Sequence, residues 1–230
     1  MGASQSQHNA TDEQTKPIPI ERKLPYKYMN IMKEADSRIN FILTDQLYER
    51  LQHGVFLNQK RKKYWIEKES GHNCFMLYAR DLTIGGSDDR EIWNWSNTIE
   101  TSSSNIDTYI DVAELIEYAD DSLKVEGKFN TSNLSPNTMY EILFVVKLSD
   151  LSYGWHEPVK FSLTLPDGKT NEHEETLQEK PREQWIEVQV GEFNTSPDKI
   201  GFSMILADAN TKVRKLGLTI KGVIIRPKRV

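Results

Sequence analysis

Ala79 to Asn97, ARDLTIGGSDDREIWNWSN, is the stretch on which the reading of the fold turns. A polar loop, Gly85-Gly86-Ser87-Asp88-Asp89, leads into Trp93-Asn94-Trp95. Side chains two apart in a strand share a face, so this WxW sends two indoles one way and Asn94 the other. That face is either core or a platform for a sugar. A pyranose has an apolar C–H face that stacks on an indole, and its rim of hydroxyls needs donors and acceptors such as Asp, Asn and backbone amides.

Outward from this stretch the chain reads as strands joined by turn residues. The candidates are 55–57, 63–68, 74–82, 91–95, 109–117, 123–130, 139–148, 159–165, 185–190, 201–206 and 218–225. They are separated by turns such as Ser70-Gly71, Ser135-Pro136-Asn137, Pro166-Asp167-Gly168 and Ser196-Pro197-Asp198. So many strands without intervening amphipathic helices predict an all-β fold, an antiparallel β-sandwich of jelly-roll type, over residues 55–230. Lys169 to Arg182 is polar and acidic and reads as a long exposed loop.

Ahead of the strands, 26–54 reads as a helical extension. Ile39, Ile42, Leu43, Leu47 and Leu51 recur at helical spacing, with Thr44 placed to cap and Gly54 to stop a second helix. Residues 1–25 are polar, carry Pro17, Pro19 and Pro25, and read as a tail without a core. Met1-Gly2-Ala3-Ser4-Gln5-Ser6 fits the N-myristoylation pattern at Gly2, and a single acyl chain gives only transient membrane contact.

With 34 acidic and 29 basic residues the net charge is -5, which disfavours a polyanionic partner except at a local basic patch. Lys60-Arg61-Lys62-Lys63, beside Tyr64 and Trp65, is the one such cluster. It suits a solvated turn, an import signal, or a phosphate contact to RNA. Cys74 is the single cysteine, expected buried in a strand, and it excludes an intrachain disulfide. No carboxylate cluster suggests a metal cage, and no catalytic motif of the GxSxG, HExxH or phosphate-loop kind is present, so neither enzyme activity nor a cofactor is expected. The lack of an apolar leader or spanning segment predicts a cytoplasmic protein. Trp65, Trp155 and Trp185 sit among alternating apolar residues and read as core.

Several pieces resemble the plant phloem protein 2 family of lectins, which share the Nictaba-type sugar-binding domain. They are Gly54-Val55-Phe56-Leu57, Lys63-Tyr64-Trp65, Asn73-Cys74-Phe75-Met76-Leu77 with Ala79-Arg80-Asp81-Leu82, and Ile92-Trp93-Asn94-Trp95. Further along come Val125-Glu126-Gly127-Lys128-Phe129, Tyr153-Gly154-Trp155, Gly191-Glu192-Phe193 and Lys221-Gly222-Val223-Ile224-Ile225-Arg226-Pro227. The resemblance implies a non-catalytic β-sandwich lectin that binds N-acetylglucosamine oligomers (chitin oligosaccharides). It also implies residence in sieve elements and companion cells, dimerisation, association with phloem filament protein and, in some members, RNA binding.

Carried over, Trp93 falls on the family's stacking tryptophan and Asp208 falls near an acidic site residue. Trp95 is expected to shape the platform, and Asp88 to accept sugar hydroxyls beside Asp208. Where relatives read Ser-Ile-Thr-Trp, this chain has Thr83-Ile84-Gly85-Gly86, so a second indole is missing and weakened sugar binding is expected. The competing reading is an interaction protein of sieve elements that binds filament protein or RNA.

Overall fold

Alternation of apolar and polar side chains organises the computed structural model, which describes residues 23–37, 44–101, 107–117, 123–195, 198–207 and 213–229. Two helices come first, α1 (Tyr28–Ile31) and α2 (Thr44–His53). Tyr28, Ile31, Leu47 and Leu51 are buried in the same core as the strands. Gly54 ends α2 at φ 98°, a left-handed conformation that favours glycine. Of the expected helical stripe, Ile39, Ile42 and Leu43 lie outside the described residues, as do Gly2 and most of the 1–25 tail.

The strands are β1 (Val55–Leu57), β2 (Lys62–Ile66), β3 (Asn73–Tyr78), β4 (Thr83–Ile84), β5 (Trp93–Thr101), β6 (Asp107–Leu115) and β7 (Leu123–Asn130). After them come β8 (Met139–Tyr153), β9 (Val159–Thr164), β10 (Thr170–Glu175), β11 (Trp185–Asn194), β12 (Lys199–Ala207) and β13 (Leu216–Pro227). They form two antiparallel sheets. The smaller is ordered β10-β9-β12-β7-β4. In the larger, β13 pairs with β8 on one side and with β3 and β6 on the other, β11 extends β8, β1 and β2 extend β3, and β5 extends β6. The fold is thus all-β with the larger sheet curled into a half-barrel.

The core lies between the sheets. Phe144 of β8 packs against Phe161 of β9 and Phe202 of β12, with ring centroids 6.1 and 6.4 Å apart. Each such fully buried side chain contributes roughly 1.5–3 kcal/mol. A buried polar junction ties the N-terminal segment to the larger sheet. Asn73 accepts from Tyr64 Oη at 2.9 Å and donates to the carbonyls of Tyr26 (2.8 Å) and Asn133 (2.7 Å), while Tyr140 Oη donates to the Asn73 carbonyl at 2.8 Å. These bonds give both polar atoms of the buried amide partners, whose loss would cost about 1–3 kcal/mol.

Part of the expected loop at 169–182 is a strand. β10 pairs residue by residue with β9 across the Pro166-Asp167-Gly168 turn. Its sequence, TNEHEE, carries no apolar alternation because it is an outer edge strand, where charge guards against pairing with another chain. One anchor is His173, whose ring stacks on Phe161 at 5.3 Å.

Both faces of the larger sheet bury apolar side chains. Along β3, Phe75 and Leu77 join the main core, whereas Met76 and Tyr78 join Ile110 and Val145 in a second cluster on the opposite face. Half-buried Trp65 and Trp185 pack on that second cluster. Of the three tryptophans expected in the core, only Trp155 is there. The physical reason is that the larger sheet buries apolar side chains on both faces, so apolar alternation alone does not tell the two sides apart.

Candidate functional site

The loop between β4 and β5 is built on its own backbone. Ser87 N–H donates to the Ile84 carbonyl, Asp89 N–H to that of Gly86, and Trp93 N–H to that of Asp89, at 2.9 to 3.1 Å. Gly86 sits at φ 70°, and a Cβ there would stand 3.2 Å from Ile92 Cδ1. Asp89 accepts the Glu91 N–H at 2.8 Å and so belongs to the turn. Asp88 is exposed beside it.

Trp93 and Trp95 do share a face, and that face holds the loop. Trp93 Nε1–H donates to the Gly85 carbonyl and Trp95 Nε1–H to that of Ser87, both at 2.9 Å. The Trp93 ring is 1% exposed, so it offers no open side to a sugar. Here the expected role is corrected: a loop folded back by eight residues covers the indole. Trp95 is half-buried, and its ring is covered by the Arg80 guanidinium at 3.5 Å, itself bonded to Asp111 at 2.8 Å. It shapes the loop from beneath. Asp208 lies outside the described residues.

An exposed aromatic surface occurs at the same end of the sandwich. Ile116 N–H donates to the Ile92 carbonyl at 2.8 Å, which fixes Glu117 next to the loop, and Glu117 is ion-paired with Arg214. Arg214 lines a depression of about 560 Å³ together with Tyr153, His156, Val213 and Leu216. Tyr153 is 58% exposed and meets His156 edge-on, with centroids 6.5 Å apart.

The neighbouring Gly154-Trp155 fixes this surface from below. Trp155 is fully buried and donates to the Leu216 carbonyl at 2.9 Å. Gly154, at φ 85°, lets the Arg214 carbonyl approach to 2.1 Å from where a Cβ would stand. Lys215 is buried under the Trp155 ring, donating to the carbonyls of Gly154 and Glu157 at 3.0 and 3.3 Å, and burial pushes its ammonium pKa down. Sequence reasoning takes Tyr153 only as part of the family-like Tyr153-Gly154-Trp155 piece and does not single out His156, although both flank the Gly154-Trp155 pair.

The basic tetrapeptide is divided by strand alternation. Lys62 pairs with Asp81 at 3.6 Å and Lys63 with Glu100 at 3.1 Å, while Lys60 and Arg61 remain exposed. These two, with Arg80 and the 63% exposed Tyr109, line a polar depression of about 490 Å³. Cys74 is buried, and burial drives its thiol pKa far upward, so it is an inert thiol. Among the described residues, no group of three or more His, Cys, Asp or Glu side chains is placed to hold a metal ion.

The described chain is thus a two-sheet all-β domain with a braced polar loop and an exposed aromatic depression at one end. The chain belongs to the phloem protein 2 family, whose profile matches residues 72–227. It is 40% identical over 213 residues to phloem protein 2-like A1 of Arabidopsis thaliana, covering 90% of this chain and 82% of that one. It is 38% identical over 184 residues to a protein of Luffa acutangula named as a lectin, covering 80% and 85%. Neither relative is named as an enzyme. No described helix is long and apolar enough to cross a membrane.

Proposed function

We propose that this protein is a non-catalytic phloem lectin that takes N-acetylglucosamine oligomers at the loop end of the sandwich. The observation that carries the reading is Tyr153, an aromatic ring presented to solvent in a depression walled by His156 and Arg214. A sugar's C–H face stacks on Tyr153, and its hydroxyls are met by Arg214, Glu117 and, from the neighbouring loop, Asp88. Asp208 precedes Val213 and Arg214 in the chain and remains a proposed acceptor. The lectin name of the Luffa relative supports the same class of ligand. An aromatic contact contributes ~0.5–1.5 kcal/mol beyond buried area, so Tyr153→Ala is expected to weaken binding of the N-acetylglucosamine trimer by about two- to tenfold. Calorimetric titration tests this, and equal affinities for the two proteins would overturn the assignment.

The reading as an interaction protein has one specific support, the depression in which Lys60 and Arg61 stand beside Tyr109, with Arg80 held there by Asp111. An RNA strand there would place phosphates on the cations and a base on the tyrosine. Its binding would weaken steeply with salt, whereas binding of a neutral sugar would barely respond. Filament association through a Cys74 disulfide is disfavoured by the burial of that thiol.

A further inference from the structure

The second face of the larger sheet contains a cleft of about 230 Å³ that shares no lining residue with the depression at the loop end. Its floor is Met76, Val145 and Ile224, and Trp65 lines it beside Gln52 and His53 at the end of α2. Two ammonium groups enter the same space. Lys63 and Lys221 converge on the single carboxylate of Glu100, at 3.1 and 2.5 Å. All three are largely withdrawn from water, with side chains 12, 16 and 20% exposed.

Lys221 is aimed there by a bulge. β13 and β8 pair Ile220 with Val146 and Gly222 with Val145, leaving Lys221 as the extra residue. The bulge needs Gly222, at φ 153°, because a Cβ would stand 2.0 Å from the Leu77 carbonyl oxygen. Bulges of this kind re-aim a side chain at a defined point of a sheet. Lys147 adds a third cation nearby: its ammonium and that of Lys221 each lie 5.5 Å from the Trp185 ring centroid. An apolar floor under an excess of half-buried positive charge is complementary to one chemistry.

We infer that this cleft binds a small amphipathic monocarboxylate, its apolar chain or ring lying on Met76, Val145 and Ile224 and its carboxylate received by Lys221 beside Glu100. The space is smaller than the ~300–1,000 Å³ of sites for drug-sized ligands, which limits the occupant to about ten heavy atoms. Charge-assisted hydrogen bonds are about twice as strong as neutral ones, so the carboxylate supplies the selectivity and the floor supplies the desolvation.

The test uses the full chain with octanoate and its neutral counterpart octanamide, followed by the methyl resonances of Met76, Val145 and Ile224. Octanoate is expected to shift these resonances at millimolar concentration, and octanamide to bind about tenfold more weakly. Lys221→Met should bring the two ligands to equal affinity. Ile224→Trp should fill the cleft and abolish octanoate binding while titration with the N-acetylglucosamine trimer is unchanged. Absence of octanoate shifts, equal binding of the two ligands to the natural protein, or octanoate binding that survives Ile224→Trp would each overturn the inference. Should Lys221→Met fail to fold, the octanoate to octanamide ratio on the natural protein decides alone.

Discussion

Replacing Trp93 separates a supporting residue from a ligand platform. The ring is 1% exposed, packs in the main core, and donates its N–H to Gly85 at 2.9 Å. Removing a buried tryptophan side chain costs about 3–5 kcal/mol, because transfer energy is lost and a cavity is left behind. In a domain of this size each kcal/mol lowers the melting temperature by ~2–4 °C, so Trp93→Ala should melt some 6–20 °C below the natural protein. Trp93→Phe keeps most of the packing and leaves the Gly85 carbonyl without its donor, for a cost of about 1–2 kcal/mol. Urea unfolding gives the stabilities, and calorimetry with the N-acetylglucosamine trimer, at a temperature where all three proteins are folded, gives the affinities. Trp93→Phe should bind as the natural protein does. The reasoning is refuted if Trp93→Ala stays within about 1 kcal/mol of natural stability and yet no longer binds the trimer, since only an open, ligand-facing ring behaves that way.

Other consequences follow from the same geometry. Gly86→Trp places a side chain at φ 70° and against Ile92, so it should lower stability by ~1–2 kcal/mol and leave trimer affinity no better than natural; a gain in calorimetric affinity would contradict this. Native Cys74 should resist alkylation by iodoacetamide and react only in denaturant, because the thiol is buried and its pKa raised; mass spectrometry reads the outcome. Burial pushes the Glu100 carboxyl pKa up, but the ion pairs with Lys221 and Lys63 outweigh it and hold it below the ordinary value. A depressed acid stabilises the fold above its unfolded pKa, and that contribution disappears as pH falls through the folded one. Glu100→Gln should therefore lower the urea midpoint at neutral pH and show less further loss on acidification below about pH 4.5 than the natural protein.

Much of the fold was legible because alternation in a strand is a direct imprint of burial. β1 and β7 match their expected bounds, β8, β11, β12 and β13 run past theirs, and β2, β3, β5, β6 and β9 are shifted or cut short by a few residues. β10 was invisible, since an exposed edge strand held by backbone pairing and one His173 stack leaves no apolar pattern to read. In β3 the six residues NCFMLY are all buried, so period two cannot say which of them face the main core and which the sheltered second face. That ambiguity is why Trp65 and Trp185 read as core.

At the candidate site the sequence placed Trp93 and Trp95 on one face but could not show that the Trp93 ring is closed to solvent. That Trp93 and Trp95 share a face follows from pleat geometry alone. Whether that face is open depends on the loop folding back onto it and on Arg80 lying over Trp95, both tertiary facts. The tetrapeptide Lys60 to Lys63 shows the same limit, since charges adjacent in the chain are sent to opposite sides of the strand and neutralised separately by Asp81 and Glu100.

The most direct test of the central claim is a titration of labelled protein with the N-acetylglucosamine trimer, following the backbone amides and the five tryptophan indole N–H signals together. Shifts are expected at Tyr153, His156 and Arg214, with the Trp93 indole unmoved. A shifted Trp93 indole with Tyr153 and Arg214 silent would contradict the claim.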